Sequence, residues 1–288
     1  MNSAHWTGVQ GKRVVITGAT SGIGLAAARR LAELGAELTI VGRAAQRAQR
    51  AAASISKPVD VLLADLSSQA EVRRLAETIE GRYPEVHVLI NNAGAIYASR
   101  RQSADGVELT WAVNHLAPFL LTTLLLEKLE ASAPARIITT ASAAHYRAQI
   151  PFDDLLGERS YALLGFGRYG QTKLANILFT RALAKRLEGS GVTANCFHPG
   201  FVGTGFNHNN GWLMGLAMSL GRLFARSPER GADTLVWLAD SAAVSAISGA
   251  YFMDRREVRP SHNARDDNAA ERVWHLSEEQ VATSALAS

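Results

Sequence analysis

The stretch Thr17-Gly18-Ala19-Thr20-Ser21-Gly22-Ile23-Gly24 follows the apolar run Val14-Val15-Ile16 and precedes a helical pattern over residues 25–34. An unbroken apolar run is typical of a strand that is buried on both faces. Between such a strand and a helix, glycines let backbone N–H groups approach an anion, and the positive helix end adds to the attraction. We therefore predict a phosphate-binding turn. Its spacing, Gly-x-x-x-Gly-x-Gly, differs from the Gly-x-Gly-x-x-Gly fingerprint and from a P-loop.

Apolar strands and helical segments continue to alternate along the chain. Alternation at short intervals predicts an α/β fold with a parallel, doubly wound sheet in a single domain. The further predicted strands cover residues 38–41, 59–64, 86–90, 136–140, 192–197 and 249–252. We expect this domain over residues 12–260, after an N-terminal extension over 1–11. A C-terminal tail over 261–288 is expected to hold a short helix near 269–276 and a loose end.

The composition of the 288-residue chain is ordinary for a soluble globular protein, with 47% hydrophobic and 19% charged residues. The net charge is +4, but the arginines are scattered without an aromatic-and-basic module, so we expect no nucleic-acid partner. No apolar run reaches the ~20 residues of a transmembrane helix. The single Cys196 excludes an internal disulfide, and the eight histidines show no metal-ligand spacing. We expect a cytoplasmic protein with no transmembrane segment and no metal.

The end of the second predicted strand indicates which dinucleotide is bound. In dinucleotide folds an acidic residue at this point contacts the adenosine ribose and selects NAD. Here Gly42 takes that position and Arg43 follows it. Because an arginine pairs well with a 2′-phosphate, the pattern favours NADP(H), with Arg47 one helical turn further on. The alternative is that both arginines are merely solvated.

Other strand ends carry polar or small residues. Asp65 follows the third strand and either contacts an adenine amino group or caps the turn. The fourth strand ends in Asn91-Asn92-Ala93-Gly94, where small residues suit a loop against a ligand. Ser142 follows the fifth strand, and the sixth ends in His198-Pro199-Gly200, where His198 is expected to shape the turn.

The stretch Tyr169-Gly-Gln-Thr-Lys173 is the candidate for acid/base chemistry. Two residues four apart lie on the same face of a helix. A phenol titrates near pH ~10, and a neighbouring ammonium stabilises the phenolate and lowers that pKa. Tyr169 is thereby predicted to move towards useful acid/base chemistry at neutral pH. Alone, the Tyr-x-x-x-Lys pattern is usually just a solvated helix face.

In this order, the motifs resemble the short-chain dehydrogenase/reductase family over about residues 12–253. The residues that carry the resemblance are the glycine stretch, Asp65, Asn91-Asn92-Ala93-Gly94, Asn114, Ser142, Tyr169, Lys173 and His198-Pro199-Gly200. A narrower likeness, to the retinol-dehydrogenase-like branch, comes from residues 114–122 (NHLAPFLLT) and 172–179 (TKLANILF). The interval between Ser142 and Tyr169 (169 − 142 = 27) is also long for the family and carries an inserted segment.

The resemblance implies a Rossmann fold and a role for each matching residue. Tyr169 would exchange a proton with the reacting oxygen, which Ser142 would orient. Lys173 would lower the pKa of Tyr169 and bind the nicotinamide ribose, and Asn114 would hold a water in a proton relay. The residues indicated for NADP(H) binding are Gly18, Ser21, Gly22, Ile23, Gly24, Arg43, Asp65, Leu66, Asn92, Ala93, Gly94, Tyr169, Lys173, Pro199, Gly200, Val202 and Thr204.

We interpret the chain as an NADP(H)-dependent oxidoreductase that interconverts a carbonyl and an alcohol on a lipophilic substrate resembling a retinoid, steroid or ketone. The alternatives are a reductase of activated C=C bonds and a non-catalytic NADP(H)-sensing protein. The resemblance implies that the segment 205–226 covers the substrate, and its Met-rich apolar residues favour a lipophilic substrate because such surfaces adapt to varied hydrophobic ligands. A core helix, a dimer helix or a membrane contact are the other interpretations. The resemblance also suggests a homodimer or homotetramer paired through the helices that hold Asn114 and Tyr169.

Overall fold

The computed structural model describes residues 6–161, 163–200 and 226–285. Within these residues eight strands form one sheet in the order β3-β2-β1-β4-β5-β6-β7-β8. The first seven strands are parallel, and β8 pairs with β7 in the antiparallel sense. The strands are β1 (Arg13–Thr17), β2 (Glu37–Gly42), β3 (Val59–Leu63), β4 (Val88–Asn91), β5 (Ala135–Thr140), β6 (Val192–Phe197), β7 (Tyr251–Met253) and β8 (Arg256–Glu257). The predicted doubly wound α/β fold is confirmed.

Helices cover both faces of the sheet. In the described part of the chain they are α1 (Gly22–Glu33), α2 (Ala45–Ala53), α3 (Gln69–Arg82), α4 (Leu109–Trp111), α5 (Ala117–Leu124), α6 (Leu126–Ala131), α7 (Phe166–Arg186), α8 (Pro228–Asp240) and α9 (Asp267–Ala285). A π-helical stretch, Ala112–Leu116, joins α4 to α5. None of these helices combines the length and the apolar character that crossing a bilayer requires.

The apolar strand sequences explain this layered arrangement. Successive side chains of a strand point to opposite faces of a sheet. In β1, Val14 and Ile16 pack into the core under α1 and α8, while Val15 packs into the core under α3, α5 and α7. All three side chains are fully buried. A strand with two buried faces therefore appears in the sequence as a continuous apolar run.

The strand order reverses between β1 and β4, and this point locates the site. Strands β1, β2 and β3 run to one side of the reversal, and β4, β5 and β6 run to the other. Ligands of open α/β sheets bind in the crevice outside the carboxyl ends of the strands at such a reversal. The glycine turn after β1 and the loop after β4 lie at this crevice.

The C-terminal helix α9 is longer than the predicted short helix and loose end. It has 19 residues and packs along α7. Trp274 contacts Phe119 and Phe179, with ring centroids 5.1 and 5.8 Å apart. Arg181 and Arg186 on α7 form ion pairs with acidic residues of α9. The helix extends because its buried residues recur every three or four positions and cover an apolar face of the domain.

Candidate active site

The glycine turn excludes side chains at two positions. Gly18 has a φ of +69°, and a Cβ built on it would lie 2.7 Å from the Cα of Ala93. A Cβ on Gly24 would lie 2.4 Å from the carbonyl oxygen of Gly18. Ser21 precedes α1, but its side chain makes no capping hydrogen bond. No side chain therefore caps the first N–H groups of α1, and none at Gly18 or Gly24 blocks the approach to this positive helix end. Such an arrangement fits a phosphate group.

Thr17 ties the glycine turn to the loop after β4, which the sequence did not indicate. Its hydroxyl oxygen accepts hydrogen bonds from the backbone N–H groups of Asn92 and Ala93, both at 3.1 Å. The Asn92 side-chain amide donates in return to the carbonyl oxygens of Thr17 at 3.0 Å and Gly18 at 3.2 Å. These contacts depend on the pairing of β1 with β4, which lie more than 70 residues apart in the chain.

Gly42 and Arg43 stand at the end of β2, as predicted. A Cβ on Gly42 would lie 2.5 Å from the methyl carbon of Thr20, so a larger residue would displace that side chain. Arg43 is 65% exposed, and its Nη1 lies 3.9 Å from Oδ2 of Asp65. The other oxygen of Asp65 accepts hydrogen bonds from the backbone N–H and the hydroxyl of Ser67. Asp65 thus caps its turn and also faces Arg43, and its contact with an adenine stays a prediction.

Ser142, Tyr169 and Lys173, three of the four residues predicted for catalysis, lie together. Ser142 follows β5, and its side chain shares a hydrogen bond with Tyr169 on α7. Lys173 lies one turn further along α7, with its Nζ 5.6 Å from the centroid of the Tyr169 ring. That Nζ donates to the carbonyl oxygen of Thr140 at 2.8 Å. A phenol, a hydroxyl and an amine therefore converge at the carboxyl end of β5.

Burial dominates the titration of the two ionisable groups. Burial raises the pKa of the Tyr169 phenol to about 12, although its hydrogen bond with Ser142 acts in the opposite direction. Burial also lowers the pKa of the Lys173 ammonium to about 7. The lowered tyrosine pKa expected from the neighbouring lysine is therefore not found, because desolvation penalises the charged form of both groups. At pH 7 the phenol is neutral and the lysine titrates.

Asn114 is fully buried in the π-helical stretch and clamps the loop after β4. Its amide donates to the carbonyl oxygen of Ala95 at 2.8 Å, and its Oδ1 accepts from the N–H of the same residue at 2.7 Å. The amide nitrogen also donates to the Thr172 hydroxyl on α7 at 3.1 Å. A buried amide needs such partners, and all of its side-chain groups have one. The predicted relay through a water on Asn114 stays a prediction.

A buried ion pair beside Tyr169 was not foreseen from the sequence. Arg168 Nε donates to Glu108 at 2.8 Å, and the two side chains are 2% and 0% exposed. Glu108 also caps α4 by accepting from the N–H groups of Thr110 and Trp111. The Tyr161 hydroxyl, from the inserted segment, donates to Glu108 at 3.3 Å and to a carbonyl of the loop after β4 at 2.9 Å. The inserted segment is thereby held against the start of α7.

The loop after β6 agrees with the prediction for its histidine. His198 Nδ1 accepts a hydrogen bond from the N–H of Gly200 at 3.0 Å, so His198 shapes the turn around Pro199. The predicted cofactor residues Val202 and Thr204 lie outside the described residues. So does all of the predicted substrate-covering segment except Arg226, which pairs with Asp254 and packs against Gly200.

Two other polar residues near the site have structural roles. His145 Nδ1 lies 2.7 Å from the backbone oxygen of Ser142, and its Nε2 accepts from the N–H of Ser261 at 3.1 Å. Because Nε2 accepts, Nδ1 carries the proton and donates, so His145 braces the Ser142 loop and does not activate the hydroxyl. Cys196 is fully buried in β6, and burial raises its pKa to about 12. Among the described residues no group of three or more His, Cys, Asp or Glu residues suits a metal ion.

The surface predicted to pair two copies is covered in part by the chain itself. Helix α9 lies against α7, and its Trp274 packs between Phe119 of α5 and Phe179 of α7. His115, next to Asn114, also contacts α9 through Ser277. Pairing through these faces would have to leave α9 in place, and the oligomeric state stays a prediction.

The sequence matches the family model described as short chain dehydrogenase over residues 12–153. It is similar to retinol dehydrogenase 12 of Homo sapiens, with 42% identity over 93% of this chain and 85% of that protein. Retinol dehydrogenase 14 of Mus musculus is 39% identical over 95% of this chain and 86% of that protein.

Two solved structures are similar to this chain in fold. An uncharacterised protein from Mycobacterium Paratuberculosis superimposes with a TM-score of 0.78 at 30% identity, covering 98% of this chain and 97% of that one. A short chain dehydrogenase from Burkholderia cenocepacia, solved in complex with NADP, superimposes with a TM-score of 0.68 at 26% identity, covering 85% and 96%.

Proposed function

The chain belongs to the short-chain dehydrogenase/reductase family, in its retinol-dehydrogenase-like branch, and on that premise we propose the following function. It is an NADP(H)-dependent enzyme that interconverts a carbonyl and an alcohol on a lipophilic substrate. Membership of the family makes it an oxidoreductase that uses a nicotinamide cofactor. The choice of NADP(H), the substrate class and the roles of the site residues are the proposed parts.

The residues at the sheet crevice fit a dinucleotide. Bare backbone at Gly18 and Gly24, with the uncapped start of α1, suits the pyrophosphate. Asn92 and Ala93 line the crevice from the β4 side, and Leu66 lines it from the turn that follows β3. Arg43 projects from the end of β2, where a 2′-phosphate would be held. A bound nicotinamide supplies or accepts the hydride, while the protein provides position and electrostatics.

The observation that carries the proposal is the convergence of Ser142, Tyr169 and Lys173 at the carboxyl end of β5. With its pKa raised to about 12, Tyr169 holds its proton at neutral pH and can donate it to a carbonyl oxygen during reduction. Ser142 orients that oxygen and stabilises the negative charge that develops on it. Oxidation of an alcohol needs the phenolate, so we expect that direction to quicken as pH rises.

Lys173 supplies positive charge where the phenolate forms. Its ammonium is anchored to the carbonyl oxygen of Thr140 and faces the ring of Tyr169. Charge on Lys173 favours deprotonation of the phenol, and this help is present below its pKa of about 7 and fades above it. A non-catalytic sensor of NADP(H) would have no evident use for a phenol that is paired with the Ser142 hydroxyl, so the set of Ser142, Tyr169 and Lys173 favours an enzyme.

The lipophilic substrate class is supported by similarity and by composition. The relatives at about 40% identity are named retinol dehydrogenases. The Met- and Leu-rich residues over 205–226, most of them outside the described part of the chain, have the composition of an adaptable apolar surface.

Steady-state assays with NADPH and NADP⁺ test the function directly. We expect turnover of retinal, retinol, steroid ketones and alkyl-aryl ketones, and little turnover of sugars or small hydroxy acids. Turnover of hydrophilic compounds alone would refute the lipophilic class. Reduction confined to activated C=C bonds would indicate the alternative reductase, and NADPH binding without turnover would indicate a sensor.

Cofactor preference is expected to depend on Arg43. Replacing Arg43→Ala removes a charge-assisted contact with a 2′-phosphate, so the KM for NADPH should rise about 10–100-fold while the KM for NADH stays unchanged. Arg50→Ala, which removes an exposed arginine of α2 further from the strand end, is the matched control and should leave both constants near wild type. Equal KM values for NADH and NADPH in the wild-type protein would contradict this role.

A further inference from the structure

The phenol proposed for proton transfer lies close to a helix end, because Tyr169 is the fourth residue of α7. The helix begins at Phe166 after Gly165, which has no side chain to cap it, and its first turn contains no acidic residue. The first N–H groups of a helix have no partner within the helix, and such ends fray. The contact of the Tyr169 hydroxyl with Ser142 therefore depends on what holds the first turn of α7.

Arg168 attaches this turn to the rest of the domain. Its Nε donates to Oε2 of Glu108 at 2.8 Å, and its Nη1 donates to the side-chain oxygen of Gln171 at 3.1 Å. The guanidinium lies over the ring of Trp111, with Cζ 5.0 Å from the centroid. Both charged side chains of the pair are buried, so water does not compete for them. The residue immediately before Tyr169 is thus fixed by a buried, charge-assisted hydrogen bond.

Glu108 is itself fixed by the helical segment that carries Asn114. Its Oε1 accepts from the N–H of Thr110 at 2.8 Å, and its Oε2 accepts from the N–H of Trp111 at 2.9 Å. Because both carboxylate oxygens have backbone partners, the carboxylate presents an acceptor to Arg168 in a fixed direction. The helical segment continues into the π-helical stretch, where Asn114 clamps the loop after β4. One ion pair therefore ties the start of α7 to the β4 side of the crevice.

Stability alone does not account for an ion pair at this place. Burying two charges costs free energy that their attraction only roughly offsets, so apolar side chains of similar volume would stabilise the fold equally well. A cation in the first turn is also repelled by the positive end of the helix. An ion pair with good geometry differs from an apolar contact because it fixes the distance and the direction between its partners.

We propose that Arg168 and Glu108 are positioning residues for Tyr169. The pair holds the first turn of α7 where the phenol meets the Ser142 hydroxyl and the reacting oxygen, and it acts through the helix backbone. This inference rests on the role of Tyr169 in the proposed function. A misplacement of a reacting group by about 1 Å can cost about 10²-fold in rate, so an anchor one residue away is expected to affect kcat.

Replacing both partners together tests the inference without leaving one charge buried and unpaired. In Glu108→Gln/Arg168→Met the glutamine oxygen still accepts from the start of α4, and the methionine fills the space beside Trp111. We expect the Tm to stay within a few degrees of wild type. The kcat for reduction of a ketone should fall about 10–100-fold, while the KM for NADPH stays within about twofold. An unchanged kcat in the folded double variant would overturn the inference.

Arg168→Lys is the conservative variant and does not depend on the folding of the double variant. The lysine Nζ lies one bond further from Cα than the arginine Nε, so the contact with Glu108 can form again. The planar guanidinium over Trp111 is lost. We expect kcat to stay within about fivefold of wild type, above that of the double variant. A loss as large as in the double variant would show that the ion pair is not what positions the turn.

A mutant cycle with Tyr169→Phe separates positioning of the phenol from general loosening of the fold. If the pair acts through the Tyr169 hydroxyl, its replacement has no hydroxyl left to misplace in the Tyr169→Phe protein. The residual rate of hydride transfer, measured in a single turnover, should then fall by less than about twofold when the double replacement is added. The full loss in that background would contradict the inference.

The ion pair of Arg181 with Asp267 provides a matched control on the same helix. It joins α7 to α9 about three turns beyond Tyr169, and it is partly exposed. Arg181→Met/Asp267→Asn should lower the Tm by a few degrees at most and leave kcat near wild type. An equal loss of kcat in this control would assign the effect to α7 as a whole and refute a specific role for Arg168.

Amide hydrogen exchange needs no turnover and keeps this inference separate from the proposed function. In an α-helix the N–H groups of residues 170–173 donate to the carbonyl oxygens of residues 166–169. In the Glu108→Gln/Arg168→Met protein these amides should exchange about tenfold faster than in wild type, while those of residues 178–184 stay protected. Unchanged exchange at 170–173 would overturn the positioning role. Faster exchange in a protein whose wild type turns over no carbonyl or alcohol would refute the proposed function instead.

Discussion

Tyr169→Phe is expected to lower kcat by about 10²–10⁴-fold while nucleotide affinity stays near wild type. The substitution removes only the hydroxyl that shares a hydrogen bond with Ser142, and the ring against Lys173 remains. Carbonyl reduction loses its proton donor, because the aliphatic hydroxyl of Ser142 is a weaker acid than a phenol and does not donate a proton in place of Tyr169. Turnover is measured with NADPH and a ketone that the wild-type enzyme reduces. Fluorescence titration with NADPH measures affinity.

The matched control for this prediction is Tyr161→Phe. That hydroxyl contacts Glu108 and the loop after β4, outside the group around Ser142. Its loss should lower the Tm and leave kcat within a few fold of wild type. Retained turnover in Tyr169→Phe would assign the proton transfer to another group and remove the main support for the proposed mechanism.

Lys173→Met is expected to stabilise the protein while abolishing most of its activity. Lys173 is buried, and its pKa of about 7 in the folded protein lies below the ~10.4 of a free side chain. Folding therefore penalises the charged form. An apolar chain of similar size removes that penalty, and replacing buried charges in this way stabilises proteins by up to about 1–4 kcal/mol. The Tm should rise by a few degrees, while kcat falls about 10²–10⁴-fold.

The stabilisation by Lys173→Met has a defined pH dependence. Below pH 7 the lysine is charged in both the folded and the unfolded chain, so wild type carries the whole penalty. Between pH 7 and about 10 only the unfolded chain is charged, so wild type gains stability as pH rises. The difference in Tm between variant and wild type should therefore be largest below pH 7 and shrink towards pH 10.

Lys128→Met is the control for the lost hydrogen bond. Lys128 also donates to a backbone carbonyl oxygen, that of Tyr83, at 2.7 Å, but it is only half-buried. This variant should show no stability gain and no change in kcat. A large, pH-independent loss of Tm in Lys173→Met would mean that the ammonium serves the fold and not the reaction.

Much of the site was readable from the sequence because its residues sit at strand ends. The glycine turn, Ser142 and the start of the loop after β4 follow apolar runs, and parallel strands bring their carboxyl ends to one edge. Tyr169 and Lys173 were readable because their spacing is that of one helical turn. For these residues the local sequence pattern and the order of the strands indicate the same place, the carboxyl edge of the sheet. Their positions in the sequence therefore predict their positions in the fold.

The titration of the site was predicted less well. The expected lowering of the Tyr169 pKa by Lys173 considered only the charge of the neighbour. The structure buries both groups, and desolvation outweighs that attraction. The burial of a side chain depends on every element packed around it, so it cannot be predicted from a short stretch of sequence.

The sequence by itself determined the alternation of strands and helices, because each element depends on neighbours a few positions away. Its motifs also predicted a phosphate-binding turn, and the family resemblance that they carry indicated the four residues proposed for catalysis. Only the tertiary structure decided the partners of Thr17, the buried pair of Glu108 with Arg168, and the contact of His115 with Ser277. These partners lie 60 to more than 160 residues apart, and they meet because the sheet and the helices on it fold the chain back on itself. A hydrogen bond is specified by distance and direction in space, which sequence separation does not encode.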